Sequence, residues 1–274
     1  MRRVVFNQKG GVGKSSIATN LAAISADRGL RTLIIDLDPQ CNTTQYLLGK
    51  NITSTADNDI GVFFAQTLSF RGRNRRKLKD FVLSTPFKNL DLIAANPELG
   101  DIMSQLESKH KIYKLRDGIA SLQGYDAIYI DTPPAFNFYS MSALIAADSC
   151  LIPFDCDEFS RQALYTLMEN VDETRSDHNE DLDVEGIVVN QFQPRASLPQ
   201  RIIQELRDEK LPILDAFISS SIKMRESHDQ SLPLIHAFPK HKLTQEFVAL
   251  FDLLHPGFGV APVASELATG TEAS

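Results

Sequence analysis

Short apolar runs alternate with longer amphipathic stretches along most of this chain. The runs lie near residues 2–7, 31–36, 90–95, 126–131, 149–153, 184–190 and 213–217. Their length and β-branched content, with turn residues at their ends, mark them as strands. Between them apolar residues recur at helical spacing, as at Ile17, Leu21 and Ile24. This period predicts helices near 14–27, 97–107, 111–122, 138–147, 158–177, 198–209 and 241–255. Strand alternating with helix implies an α/β fold, a doubly wound and mostly parallel sheet flanked by helices. No internal repeat interrupts it. Residues 1–258 read as a single domain, and 259–274, small and polar, as a disordered tail.

The first strand and helix enclose the most informative segment. Val4, Val5 and Phe6 lead to Lys9-Gly10-Gly11-Val12-Gly13-Lys14-Ser15, and the helix follows at once. Glycines let backbone N–H groups turn toward an anion, and a helix start adds a positive dipole end. The segment matches a P-loop in shifted form, with adjacent glycines and an additional lysine. By position in the motif, Gly10, Gly11, Val12, Gly13 and Ser16 cradle the nucleotide, Lys14 reaches the β/γ-phosphates and Ser15 ligates Mg²⁺. One lysine already serves the phosphates, so Lys9, five residues earlier, needs its own explanation.

Two later strands end in acids, Thr32 to Gln40 and Asp126 to Pro134. Ligands of parallel sheets bind beyond the carboxyl ends of the strands, so Asp36, Asp38 and Asp131 are expected to converge on the loop. Asp131 takes the part of a Walker-B aspartate in the Mg²⁺ shell, with Asp36 beside it. Asp38 is placed to orient an attacking water. The expected cofactors are ATP and Mg²⁺, and the expected activity is ATP hydrolysis.

On these residues the chain resembles the ParA/MinD family of deviant-Walker P-loop ATPases. The resemblance rests on Asn7 to Ser15, Asp36-Leu37-Asp38-Pro39-Gln40-Cys41-Asn42 and Ile130 to Pro134. Weaker matches are Ile152-Pro153, Glu158-Phe159 and Val189-Asn190, and the order holds over about 2–255. It implies that Lys9 crosses a homodimer interface to the partner's nucleotide, with two ATP molecules held between subunits. It implies that losing Asp38 blocks hydrolysis but not ATP binding, and that Asn190 and Pro194 lie at the adenine. It further implies a small ParA-type protein that binds duplex DNA of any sequence as an ATP dimer. A cargo-linked adaptor stimulates its slow hydrolysis, and it positions a plasmid, a chromosome or a protein assembly such as carboxysomes or chemoreceptor clusters. Cys41 departs from the family, which usually has glycine there.

Composition adds bounds. The chain has 274 residues, 43% of them hydrophobic, and a net charge of −7. That length suits a large buried core. A DNA contact on so acidic a chain must be a local patch. No apolar run nears the ~18 residues of a membrane span, and the start runs straight into the first strand, so no secretory signal is expected. Cys41, Cys150 and Cys156 form no metal pattern; reduced thiols in the cytoplasm are expected, Cys150 and Cys156 as packing residues. A nucleoid-associated location follows from the resemblance.

Two basic surfaces could meet DNA phosphates. Residues 71–79 hold Arg71, Arg73, Arg75, Arg76, Lys77 and Lys79. A discontinuous group comprises Arg195, Arg201, Lys223 and Arg225, in regions where chromosomal ParA relatives use arginines on DNA; Lys223 to Arg225 were expected ahead of the last strand-like stretch. MinD-type relatives end in a basic amphipathic helix that binds membrane. Here the last helix has Phe247, Val248, Leu250, Phe251, Leu253 and Leu254 with no Lys or Arg after His255, so its stripe reads as core. The remaining alternative is a metabolic or metallocentre enzyme on the same scaffold. An iron-protein-like reductase needs cysteines after its switch segments, and residues 131–138 contain none; a tyrosine kinase needs a tyrosine-rich tail, and 175–274 contain none.

Overall fold

The computed structural model describes residues 1–49, 57–69, 75–156 and 158–256, with backbone alone at 158–160. In chain order the elements are β1 (Arg2–Val5), α1 (Lys14–Asp27), β2 (Thr32–Asp36), α2 (Asn42–Leu48), α3 (Ile60–Leu68), β3 (Leu83–Ser84) and β4 (Leu90–Ile93). There follow α4 (Leu99–Ser108), α5 (Lys114–Ala120), β5 (Ala127–Asp131), α6 (Phe138–Ala146), β6 (Ser149–Asp155), α7 (Glu158–His178) and β7 (Asp183–Phe192). The last are α8 (Ser197–Asp208), β8 (Ile213–Ser219), α9 (Ile222–Gln230), α10 (Leu234–Ala237) and α11 (Lys242–Leu254).

Among the described residues the strands form one sheet in the order β3-β4-β2-β5-β1-β6-β7-β8. Only the β3–β4 pair is antiparallel. β2 and β5 are buried along their whole length, which is why they read as unbroken apolar runs. Successive side chains enter opposite cores. Leu33 and Ile35 pack on the side that holds α3 to α8, and Ile34 on the side of α1 and α11.

The chain leaves β1 toward β2 on one side and crosses it toward β6 on the other. The crevice at its carboxyl end is thus a switch point, where ligands of such sheets bind. Register sets the acids there: Asp36 pairs with Asp131, and Asp131 with Val5 of β1.

The expected strands and helices are present, and the pattern missed five elements. α3 (Ile-Gly-Val-Phe-Phe-Ala-Gln-Thr-Leu) is apolar all round and shows no period. α2 starts Asn-Thr-Thr and has seven residues. α9 buries only Ser227, so it has no stripe to read. α10 and β3 are single short turns of pattern. The α11 stripe is core: Phe247, Leu250 and Phe251 are fully buried beside α1 and β8. Among the described residues no helix is long and apolar enough to cross a membrane. Cys41, Cys150 and Cys156 are buried and free of disulfides. The expected tail at 259–274 lies outside the described residues.

Candidate active site

Backbone geometry makes the loop. Gly11 (φ 78°) and Gly13 (φ 90°) take the left-handed conformation, and a Cβ on Gly13 would stand 2.2 Å from Asn190 Nδ2. Gly13 caps α1, whose first N–H groups have no partner within the helix. Three side chains pin the loop to the sheet. Asn7 accepts from the Lys9 N–H at 2.8 Å and donates to the Pro153 carbonyl at 2.6 Å. Asn190 donates to the Val12 carbonyl at 2.8 Å, and Gln191 to that of Gly11 at 3.1 Å.

The loop opens on a cavity of about 490 Å³ lined by Gly10, Gly11, Gly13, Lys14, Ser15, Ser16, Asp38, Gln40, Asn42, Gln45, Tyr46, Pro134 and His228. A smaller cavity of about 170 Å³ shares Gly11, Gly13 and Ser16 and reaches Asn190, Gln191, Met224 and Arg225. The Lys14 ammonium donates to the Lys9 carbonyl at 2.9 Å. Burial lowers its pKa, while Asp131 and Asp38 pull it back up. Burial raises the Asp38 carboxyl, against the Gln40 N–H and Lys14. Asp38 Oδ1 accepts that N–H at 2.9 Å.

Asp131 is fully buried, and burial pushes its carboxyl up; the Ser15 and Thr43 hydroxyls favour its ionised form. Thr43 donates to Oδ2 at 2.8 Å, while the buried Oδ1 accepts no hydrogen bond. A bare carboxylate oxygen near a serine hydroxyl is the hard donor set that Mg²⁺ takes. Ser15 and Asp131 fit that ion. Asp36, expected beside Asp131 in the Mg²⁺ shell, is fully buried and engaged by hydrogen bonds. Its Oδ1 accepts from Asp38 N–H at 3.0 Å, and its Oδ2 from the Thr44 N–H and hydroxyl at 2.9 and 2.7 Å. Both oxygens hold the Asp38 segment and α2 in place, outside the cavity wall.

The outlying residues fall less neatly. Pro194 lies exposed between β7 and α8 and lines neither cavity; its carbonyl accepts from Gln200 at 2.6 Å. Of the adenine pair, only Asn190 touches the loop. Arg195 is exposed in the same turn. Arg201 on α8 pairs with Glu205 at 3.7 Å. Lys223 and Arg225 do not precede a strand; they sit on α9, after the last one. Lys223 pairs with Glu226 at 2.5 Å and lies over the Phe238 ring at 4.6 Å, whereas exposed Arg225 reaches the smaller cavity. In the other basic cluster, Arg71 and Arg73 lie outside the described residues. Arg76 is spent internally, bonding Asn58 and the Asp57 and Asp80 carbonyls and covering Phe81.

Sequence reasoning missed Thr43, Thr44, Tyr46 and His228. The first three follow Asp38 within ten residues, a clue that was available; nothing in spacing marks His228. Cys41 takes the left-handed backbone (φ 55°, ψ 30°), a conformation that glycine adopts without steric cost. Burial, then Asp36 and Asp38, push its thiol up to about 12.

A family model described as an AAA domain matches residues 3–184. The chromosome partitioning protein ParA of Myxococcus xanthus is 31% identical over 249 residues, 90% of this chain and 84% of that protein. Among solved structures, apo McdA from Cyanothece superposes with a TM-score of 0.80 at 22% identity, over 92% of this chain and 98% of that one. Cobyrinic acid a,c-diamide synthase from Mycobacterium smegmatis, with bound ATP analogue and magnesium, gives 0.77 at 21% over 92% of each. At such identities the last two share the fold. With the glycine loop, the acidic strand ends and the likeness to the Myxococcus protein together, this chain belongs to the ParA family of AAA-domain P-loop ATPases.

Proposed function

We propose that this protein closes as a homodimer over two ATP molecules, binds duplex DNA of any sequence in that state, and thereby positions or segregates a cargo. Residues 1–258 act as the one ATPase domain. One observation carries the reading: the Lys14 ammonium rests 2.9 Å from the Lys9 carbonyl in a cavity that Asp38 also lines. Lys14 and the candidate hydrolytic acid therefore belong to one anion-binding crevice, with the Lys9 backbone at its edge.

On ATP entry, Lys14 exchanges the Lys9 carbonyl for phosphate oxygens, and the first N–H groups of α1 take the rest of the charge. Asp38, made more basic by burial, accepts a hydrogen bond from the attacking water and orients it. Ser15 and Asp131 would hold Mg²⁺, which when bound would supply further neutralisation of the phosphates. Asn190 borders the adenine side, with Pro194 further out in the same turn. Lys9 reaches the partner protomer's nucleotide. Facing lysines repel when ATP is absent, so ATP selects the dimer. Hydrolysis is slow until a cargo-linked adaptor binds.

Arg195, Arg201, Lys223 and Arg225 contact DNA phosphates. Such contacts carry no sequence code and weaken steeply with salt. The dimer doubles them, which ties DNA binding to the nucleotide. The location is cytoplasmic, on the nucleoid. With Phe247, Leu250 and Phe251 buried in the core, α11 turns little apolar surface outward for MinD-type membrane attachment.

Light scattering with ATP and Mg²⁺ tests the reading. The parent doubles in mass; Lys9→Ala binds ATP but stays monomeric; Asp38→Ala dimerises and releases no phosphate. A Lys9→Ala protein that dimerises like the parent overturns the shared-nucleotide dimer. Charge reversal at Arg195 and Lys223 abolishes duplex binding at low salt; unchanged binding moves the DNA surface to 71–79.

A further inference from the structure

α9 contributes little apolar surface to the core, since only Ser227 among its residues is buried and Met224 packs partly buried against that core. Polar contacts hold it instead. Its His228 lines the nucleotide cavity, with Nε2 3.1 Å from the Ser16 hydroxyl. The His228 and Tyr46 ring centroids lie 4.2 Å apart at 59°, and the Tyr46 hydroxyl shares a hydrogen bond with Ser227. Asn20 of α1 donates to the Ser16 carbonyl at 2.8 Å and to the Tyr46 hydroxyl at 3.2 Å, and accepts from the Leu234 N–H at 2.8 Å. One imidazole thus joins the loop helix, the helix after Asp38, and α9.

We propose that His228 contacts the phosphates of the bound nucleotide and that, through it, the nucleotide fixes α9. The inference rests on the nucleotide reading above. Ser16 stands in the first turn of α1, where orphan N–H groups and the helix dipole collect an anion. A phosphate oxygen only accepts hydrogen bonds. It therefore selects the imidazole with hydrogen on Nε2, which donates to it alongside the Ser16 hydroxyl. A hydrogen bond to a charged oxygen is stronger than the neutral one it replaces. The filled site consequently holds His228, and α9 with it, more tightly than the empty site. α9 also carries Lys223 and Arg225, so phosphate at the loop fixes those two cations on the surface.

Two variants test this. His228→Phe keeps a ring against Tyr46 and removes both nitrogens; His228→Gln keeps a donor. Displacement of a fluorescent ATP analogue by ATP or by tripolyphosphate measures affinity, and amide hydrogen exchange across 222–230 measures α9, with and without ATP. In the parent, ATP slows exchange in α9. His228→Phe weakens ATP and tripolyphosphate by about tenfold or more and loses the slowing, and His228→Gln recovers most of both. A His228→Phe protein that binds ATP like the parent overturns the proposal, whether its α9 exchange is unchanged or already faster without nucleotide, because His228 is then only a packing residue. Weakening of ATP without weakening of tripolyphosphate also overturns it, by moving the contact to the sugar or base. Lys14→Ala is the control for the site itself: a parent that binds no better than this variant sinks the nucleotide reading, a failure distinct from the others.

Discussion

Cys41 occupies a backbone conformation that side chains rarely adopt, at the point where the chain turns from the Asp38 segment into α2. A β-branched side chain there meets steric strain worth roughly 1–3 kcal/mol. Cys150 is fully buried but lies in extended β6, where β-branching is favoured. Cys41→Val is therefore expected to lower unfolding stability by about 2 kcal/mol, while Cys150→Val stays within about 1 kcal/mol. Urea midpoints of the two variants decide it; equal losses would show that the backbone at 41 is not strained. Gly13 obeys the same logic twice over, through its φ and through the Asn190 amide that fills the space of a side chain. Its need for glycine was legible from the motif. The cysteine's constraint was legible only as a departure from a pattern, because nothing in a residue's identity announces a positive φ.

Among the elements, α2 links the acidic strand ends to the cavity. The Thr44 hydroxyl donates to Asp36 at 2.7 Å and accepts from the Ala95 N–H beyond β4 at 3.0 Å. Thr44→Val keeps the shape, strands the buried Ala95 N–H and leaves Asp36 Oδ2 with the Thr44 N–H alone. The expected cost is about 3 kcal/mol, measured by thermal or urea unfolding. ATP turnover should fall with it, because Gln45 and Tyr46 ride on the same helix into the cavity. A variant as stable and active as the parent would remove Thr44 from this role. The sheet and its order of motifs were readable because β2 and β5, buried on both faces, write themselves as apolar runs ending in acids. α2 and α9 were not readable. Each is short and held largely by hydrogen bonds and ring contacts, with Leu47 of α2 and Met224 of α9 as apolar anchors, so neither writes an amphipathic stripe, and these two helices supply the cavity residues that period alone does not reveal. The hydrogen bonds of Asp36 were hidden for a related reason: sequence places a carboxylate at a strand end but does not say which N–H groups it accepts from.

For the molecule as a whole, a buried polar cluster fastens the last helix to the sheet. Fully buried Arg3 on β1 meets Glu185 of β7, the Tyr129 hydroxyl of β5 at 3.2 Å and His255 Nε2 at 3.3 Å. Burial, then the Arg3 guanidinium, lower the His255 pKa; the Phe251 carbonyl, Glu185 and Asp252 oppose this. The folded state keeps the imidazole neutral, whereas in the unfolded chain it protonates near 6.5. Below that pH the unfolded chain gains a proton the folded one resists. The contribution of His255 is thus complete above the unfolded pKa and is lost as pH falls toward the depressed folded value. Asp36 and Asp131 act with the opposite sign: burial raises both, so their contribution favours the fold in acid and is lost as pH rises from the ordinary carboxylate range through their raised folded values. Total stability mixes these slopes, and the difference between parent and variant isolates one. His255→Gln keeps an acceptor for Arg3 but does not titrate. Its stability loss, about 1 kcal/mol at pH 8, should shrink toward pH 5, where the parent is penalised by the incoming proton and the variant is not. Parallel curves of unfolding free energy over that range would mean that the proton is taken up elsewhere and that Arg3 tolerates a charged neighbour.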